Sequence, residues 1–85
     1  MKQFIDFCKE RVVEDVQSKI DTIMDINDVY VVWSCKTLQN KKCILSTDNI
    51  RGYIYEFTYN GNKNEVYMDT YKKESNKALS FNPID

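Results

Sequence analysis

Two cysteines, Cys35 and Cys43, flank the polar segment KTLQNKK and are the first candidates for chemistry in this sequence. Paired thiols could hold a metal ion or form a redox-active disulfide. A structural zinc site needs four ligands, and Cys8 is the one further thiol in a chain without histidine. We therefore expect no metal site and free thiols in a reducing compartment. A redox-sensitive disulfide between Cys35 and Cys43 is the alternative.

Other catalytic patterns are absent from the sequence. Without histidine there is no Ser-His-Asp or Cys-His arrangement and no histidine general base. Gly52 and Gly61 are isolated, so no glycine-rich phosphate loop is present. Carboxylates at Asp6, Glu10 and Glu14 have helical spacing, but nothing apolar lies beside them to shift a pKa, which favours a solvated helix face. We expect a protein that is not an enzyme and carries no cofactor.

The polar residues between the cysteines form a candidate binding site. Cationic and amide donors at one end of a sheet could hold a phosphate, and nearby aromatic rings could stack on a base. A solvated hairpin tip is the alternative. The candidate binding residues are Lys36, Thr37, Gln39, Asn40, Lys41, Lys42, Tyr30, Tyr67 and Tyr71.

The elements that position these residues follow from the spacing of apolar side chains. An apolar residue recurs about every four positions over residues 3–24, which predicts an amphipathic helix. The period changes to two from Val29 onward, which predicts strands at about 29–37, 42–47, 53–59 and 64–72, followed by a tail over 73–85. The sequence therefore predicts one α+β domain over residues 1–85, a helix packed on a four-stranded antiparallel meander.

One face of this sheet should pack on the helix, and the other is unusually aromatic. The predicted core is Phe4, Ile5, Cys8, Val12, Val16, Ile20, Val29, Val31, Trp33, Cys35, Leu45, Tyr55, Phe57, Val66 and Met68. The opposite face should carry Tyr30, Val32, Ile44, Ile54, Tyr67 and Tyr71, interspersed with Lys36, Glu56 and Asp69. Such a face is typical of an interface or ligand surface. Alternatively, the tail folds over it or adds an edge strand.

Two registers can be argued from the residues that would face each other. An odd number of residues between the first two strands would turn both Cys35 and Cys43 toward the core. In the last hairpin a two-residue turn at Asn60 and Gly61 would set Glu56 opposite Glu65, and like charges repel there. We therefore expect a four-residue loop that pairs Phe57 with Val66 and Tyr55 with Met68.

The net charge and the absence of long apolar runs argue against duplex DNA and membranes as partners. The formal net charge is −1, too close to zero for a duplex-DNA binder, which would show a basic stripe. No apolar run approaches the ~18 residues that span a bilayer, and the N-terminus has no signal-peptide pattern. We expect a cytoplasmic protein with no membrane partner.

Four stretches of the chain resemble a family of small phage and prophage proteins, a domain of unknown function. They are VYVVWSCKTLQNKK at 29–42, LST at 45–47, YEFTYNG at 55–61 and EVYMDTYKK at 65–73. The resemblance implies a phage accessory protein in the cytoplasm of a bacterial host. Carried onto this sequence, its polar positions are Lys36, Thr37, Gln39 and Asn40.

Three functions are compatible with these observations. The first is a non-enzymatic binder or inhibitor of a host protein, such as a bacterial defence effector. The second is a homo-oligomeric sponge for a nucleotide immune signal. Its pockets would lie between subunits, with Lys36, Thr37, Gln39 and aromatic rings as ligands, because small proteins rarely enclose a ligand alone. The third is a single-stranded nucleic-acid binder that uses the aromatic face together with Lys41, Lys42, Lys72 and Lys73.

Overall fold

The fold is one helix layer packed on one open, four-stranded antiparallel sheet, which confirms the predicted α+β class. A computed structural model describes residues 1–84; the last residue of the predicted tail, Asp85, lies outside them. The sheet order is β1-β2-β3-β4, so each strand pairs with its neighbour in sequence. The elements are α1 (Lys2–Lys19), a short 3-10 helix (Ile26–Asp28), β1 (Val29–Thr37), β2 (Asn40–Thr47), β3 (Tyr53–Asn60) and β4 (Glu65–Lys72).

The helix ends five residues earlier than the predicted boundary at residue 24. Ile20 is already extended, with φ −137° and ψ 156°. Asp21, Thr22 and Ile23 follow, and like Ile20 they have low helix propensity. These four residues in succession end the helix although the apolar period continues. Ile20 is consequently 36% exposed rather than part of the core, whereas Met24 is buried.

The segment between the helix and the sheet is fixed by side-chain caps. The Asp25 carboxylate accepts a hydrogen bond from the backbone N–H of Asn27 at 2.8 Å, and the Asp28 carboxylate accepts one from the N–H of Asp25 at 3.0 Å. The Thr47 hydroxyl then donates to the Asp28 carbonyl at 2.7 Å. These bonds hold the start of β1 against the end of β2.

A β-bulge in β1 exchanges the faces to which the side chains of the second half of the strand were predicted to point. Val31 lies opposite Leu45 but Trp33 lies opposite Ile44, so Val32 is an extra residue and the register shifts there. A bulge places two successive side chains on nearly the same side of a strand. Ser34 therefore faces the helix side opposite Cys43, and the predictions that Trp33 and Cys35 lie in the core are wrong.

The turn between β1 and β2 also differs from the prediction. Thr37 pairs with Asn40, which leaves Leu38 and Gln39 as a two-residue turn rather than an odd-numbered loop. Leu38 adopts φ 55°, a left-handed conformation that is uncommon for a leucine. An even turn combined with one bulge sets Cys35 and Cys43 on opposite faces, so a disulfide between them would require the backbone to move.

The last hairpin has a four-residue loop, but its register differs by two residues from the prediction. Asn60 pairs with Glu65, so Phe57 lies opposite Met68 and Tyr55 opposite Thr70. The shift preserves which side chains face the helix, because the side-chain period along a strand is two. It also sets Glu56 opposite Asp69, a like-charge pair of the kind that the prediction had tried to avoid.

The core lies between α1 and the middle of the sheet. Leu45, Tyr55 and Phe57 are completely buried there. Of the predicted core, Val31 and Met68 face the helix side but are 42% and 37% exposed, because both lie on edge strands. The buried cluster is Phe4, Cys8, Val12, Val16, Met24, Val29, Cys43, Leu45, Tyr55 and Phe57, with Ile5 and Val66 packed against it.

The tail neither adds a strand nor covers the sheet. Residues 73–84 contain no helix or strand, and all of them are exposed. Its first residue is held in place, because the N–H of Lys73 donates to the carbonyl of Gly52 at 2.6 Å. Beyond that anchor the two alternatives considered for the tail are both absent from the described structure.

Candidate functional site

The sheet face that points away from α1 carries a group of exposed apolar side chains. We call it the open face. Its apolar members are each between 43% and 55% exposed, apart from the half-buried Ile44, and they come from all four strands. They are Tyr30, Val32, Trp33, Ile44, Ile54, Tyr67 and Tyr71. Contiguous exposed apolar surface of this kind is common at sites of interaction with other molecules.

The register arranges the open face in rows that run across the strands. Trp33 lies opposite Ile44, Ile44 opposite Glu56, and Glu56 opposite Asp69, so these four residues form one row. Strands are ~4.8 Å apart, which makes the row ~14 Å long. Its β1–β2 half is apolar and its β3–β4 half is acidic.

Charge on the open face is predominantly negative. The strands contribute one cation, Lys42, and three carboxylates, Glu56, Glu65 and Asp69. Lys42 lies 3.4 Å from Glu56 and offsets part of the repulsion between Glu56 and Asp69. The negative charge of Glu56, whose carboxylate also accepts a hydrogen bond from the Tyr71 hydroxyl at 3.3 Å, raises the pKa of Tyr71. A binding partner with exposed cations would relieve this repulsion.

Apart from the residues at the hairpin tip, four of the predicted binding residues lie on the open face. Tyr30 is on one edge strand, Tyr67 and Tyr71 are on the other, and Lys42 lies between them. Tyr30 and Tyr71 are therefore separated by the width of the sheet and do not line one pocket. They are suited to contacts with an extended surface rather than with a small molecule.

The predicted residues at the hairpin tip are partly used by the fold itself. The Asn40 side-chain oxygen accepts a hydrogen bond from the N–H of Gly61 at 3.3 Å, which joins the two hairpin tips. A Cβ at Gly61 would lie 2.4 Å from the Gln39 carbonyl oxygen, so the two tips pack too closely for any residue but glycine. Thr37 pairs with Asn40 at this end of the sheet.

Two predicted residues lie on the helix side instead. Lys36 pairs with Lys41, and Lys41 in turn lies opposite Tyr59, so the prediction that Lys36 belongs to the aromatic face is wrong because of the bulge. The Lys41 ammonium lies 5.4 Å from the centroid of the Tyr59 ring. It borders an open cleft of about 360 Å³ that is also lined by Phe4 and Phe7.

Sequence reasoning placed Trp33 and Cys35 on the wrong face. The run Val31-Val32-Trp33 contains three successive apolar residues, which strict alternation cannot place on one face. Such a run is compatible with a bulge, but also with a strand buried on both faces. The signal was present in the sequence, although it was not specific.

The thiol that lies beside Cys43 is Cys8 on the helix rather than Cys35. Both are completely buried in the core cluster. The neighbouring Cys43 thiol and burial raise the pKa of Cys8 well above its usual range, which favours the protonated and unreactive form of this thiol. Cys35 is exposed on the open face beside Thr37, with Sγ 3.7 Å from the threonine hydroxyl.

Residues 1–84 contain no cluster of three or more His, Cys, Asp or Glu side chains that could hold a metal ion. No helix in this described part of the chain has the length and apolar character that crossing a membrane requires.

Comparison with known proteins gives one match. The profile of a family described as a family of unknown function (DUF6275) matches residues 5–81, which includes most of α1, the whole sheet and most of the tail. No curated protein matches the chain, and no solved structure matches it.

Proposed function

Because the chain belongs to the family of unknown function DUF6275, whose description carries no activity, we propose a function from the site itself. We propose that the protein is a non-enzymatic binder that holds a partner protein on its open face. The observation that supports this proposal is the exposure of six apolar side chains, with the half-buried Ile44 between them, on the face that α1 leaves uncovered.

The composition of the open face also favours a protein partner. Aromatic side chains such as Trp33, Tyr30 and Tyr71 are enriched at the centres of protein interfaces and contribute most of the binding energy there. The carboxylates of Glu56 and Asp69 would favour a partner that presents lysine or arginine beside its apolar side chains.

The identity of the partner is the finer part of the proposal. The resemblance to phage and prophage proteins supports a bacterial host protein, and specifically a defence effector that the binder inhibits. This part depends on the resemblance alone, whereas the use of the open face depends on the geometry.

A quantitative pull-down tests the proposal. The tagged protein, incubated with lysate of a bacterial host, should retain one partner in stoichiometric amount. Val32→Asp should abolish retention, since it places a charge among the apolar side chains of the open face. Ile23→Ser is the matched control, because Ile23 is 97% exposed and lies outside the sheet. Undiminished retention by folded Val32→Asp, or no partner with the wild type, would contradict the proposal.

A second candidate function is an oligomeric sponge for a nucleotide signal. The observation that favours it is the cleft where Phe4, Phe7 and Tyr59 offer aromatic rings beside the Lys41 ammonium. Cyclic dinucleotides should then raise the melting temperature of the wild-type protein but not that of Lys41→Gln. An unchanged melting temperature of the wild type would exclude this candidate.

A further inference from the structure

The tail is a second exposed apolar surface of the same chain. Leu79 and Phe81 are 84% and 82% exposed. The radius of gyration is 15.5 Å, whereas a compact chain of this length has about 12 Å, because the tail extends away from the two-layer body. The family match continues to residue 81, so the tail through Phe81 is a feature of the family rather than an addition to it.

We propose that the tail of one copy lies across the open face of a second copy, and that the second tail lies across the first face. A reciprocal exchange of this kind closes into a two-fold symmetric dimer. The inference goes beyond the proposed function, because it states what occupies the open face when no other partner is bound.

The spacing of the tail residues matches the row across the open face. In an extended chain Lys77, Leu79 and Phe81 point to one side, and Ala78 and Ser80 point to the other. The distance from Lys77 to Phe81 along an extended chain is ~13 Å, and the row from Asp69 to Trp33 is ~14 Å long. One tail segment therefore spans the whole row.

The tail residues and the row residues are also complementary in their chemistry when each set is taken in order along its length. With Phe81 on Trp33, Leu79 comes to lie near Ile44, and the Lys77 ammonium reaches the pair of carboxylates. That pair, Glu56 and Asp69, carries like charges opposite each other and has only Lys42 as a cationic neighbour on the strands. The Lys77 ammonium is a second cation that offsets the repulsion between Glu56 and Asp69. The contacts of Phe81 with Trp33 and of Leu79 with Ile44 bury apolar surface from water.

A second copy, rather than the same chain, is the occupant that the structure favours. The hydrogen bond from Lys73 to Gly52 fixes the start of the tail at the edge of the sheet. From that point the tail extends outward, and its own open face stays exposed. A second copy buries both apolar surfaces while each tail keeps its anchor and the outward course that it has in this structure.

Sedimentation of the full chain over a range of concentrations tests the dimer. The wild type should shift from monomer to dimer as concentration rises toward about 100 µM. Leu79→Ser with Phe81→Ser should raise the dimer dissociation constant roughly tenfold or more, since the apolar contacts are lost. Ala78→Ser with Ser80→Ala is the matched control on the other side of the extended tail and should leave dimerisation unchanged.

A charge exchange then tests the order of the contacts. Lys77→Glu and Asp69→Lys should each weaken the dimer, and the two changes together should restore it. A strictly monomeric wild type would overturn the inference, as would a dimer that persists in the Leu79→Ser, Phe81→Ser variant. None of these measurements includes a foreign partner, so their failure leaves the pull-down result independent. Conversely, a failed pull-down leaves the dimer intact.

Discussion

The two faces of the sheet carry similar apolar and aromatic side chains, but one face is buried and the other is exposed to solvent. On the covered face Leu45, Tyr55 and Phe57 are completely buried beneath α1, whereas on the open face Trp33 and Tyr71 are about half exposed. One helix can bury only one face of a sheet, and the described chain contains one α-helix. The aromatic residues of the open face therefore contribute little to folding, which supports the proposal that they contact a partner.

Thiol reactivity gives the largest expected difference between the faces. Cys35 on the open face should react with a thiol reagent in the native protein, while Cys8 and Cys43 should react only when the core opens. Because opening of the core costs several kcal/mol, the ratio of rates should be on the order of a thousandfold or more. Time-resolved labelling with Ellman's reagent measures it.

The Cys35→Ser variant is the control for this labelling. It should lose the fast phase and keep both slow thiols. A protein in which all three thiols react at one rate would show that the covered face is open to solvent, and the comparison between the faces would fail.

Truncation of one aromatic residue on each face should give the next largest difference. Phe57→Ala removes a completely buried ring and should lower the free energy of unfolding by about 3–5 kcal/mol. Trp33→Ala removes a half-exposed ring and should cost about 1 kcal/mol or less in the monomer. Urea denaturation at low protein concentration keeps the dimer from contributing. Equal losses at the two positions would contradict the assignment of faces.

A hydrogen bond beneath the helix should give a smaller effect. The Tyr55 hydroxyl donates to the Asp15 carboxylate at 2.8 Å, and Lys19 pairs with the same carboxylate. Tyr55→Phe should lower the free energy of unfolding by about 1.5–3 kcal/mol, because a charged acceptor loses its buried donor. Tyr67→Phe is the matched control, since its hydroxyl donates to Glu65 at the surface, and it should change stability little.

The same tyrosine predicts a pH dependence. Burial and the Asp15 carboxylate raise the pKa of Tyr55 in the folded protein above its ordinary value. Between the unfolded pKa of about 10 and the higher folded pKa, the folded state keeps a proton that the unfolded state has lost. Wild-type stability should therefore fall as the pH rises above about 10. Tyr55→Phe should show a shallower fall, and an equal fall in both proteins would exclude this residue as the cause.

The sequence predicted the layers of the fold better than it predicted the open face. Periods of four and two residues separate a helix from strands, and they correctly assigned Cys8, Tyr55 and Phe57 to the core. Alternation fails where a strand departs from its ideal period, as at Val32, because one extra residue exchanges the faces of all that follow. The bulge at Val32 is the one reason that Trp33, Cys35 and Lys36 were assigned to the wrong faces.

The like-charge pair on the open face gives the smallest effect, and its sign is opposite to that of the others. Asp69→Asn removes the repulsion with Glu56 and should raise the free energy of unfolding of the monomer by about 0.2–1 kcal/mol. The same change should weaken the dimer, because Lys77 loses one of the two carboxylates that it contacts there. Urea denaturation and sedimentation of one variant measure both effects. A gain in stability together with a loss of dimerisation would indicate that the acidic half of the open face serves binding at the expense of folding, whereas a loss of both would place Asp69 among the residues that hold the sheet together.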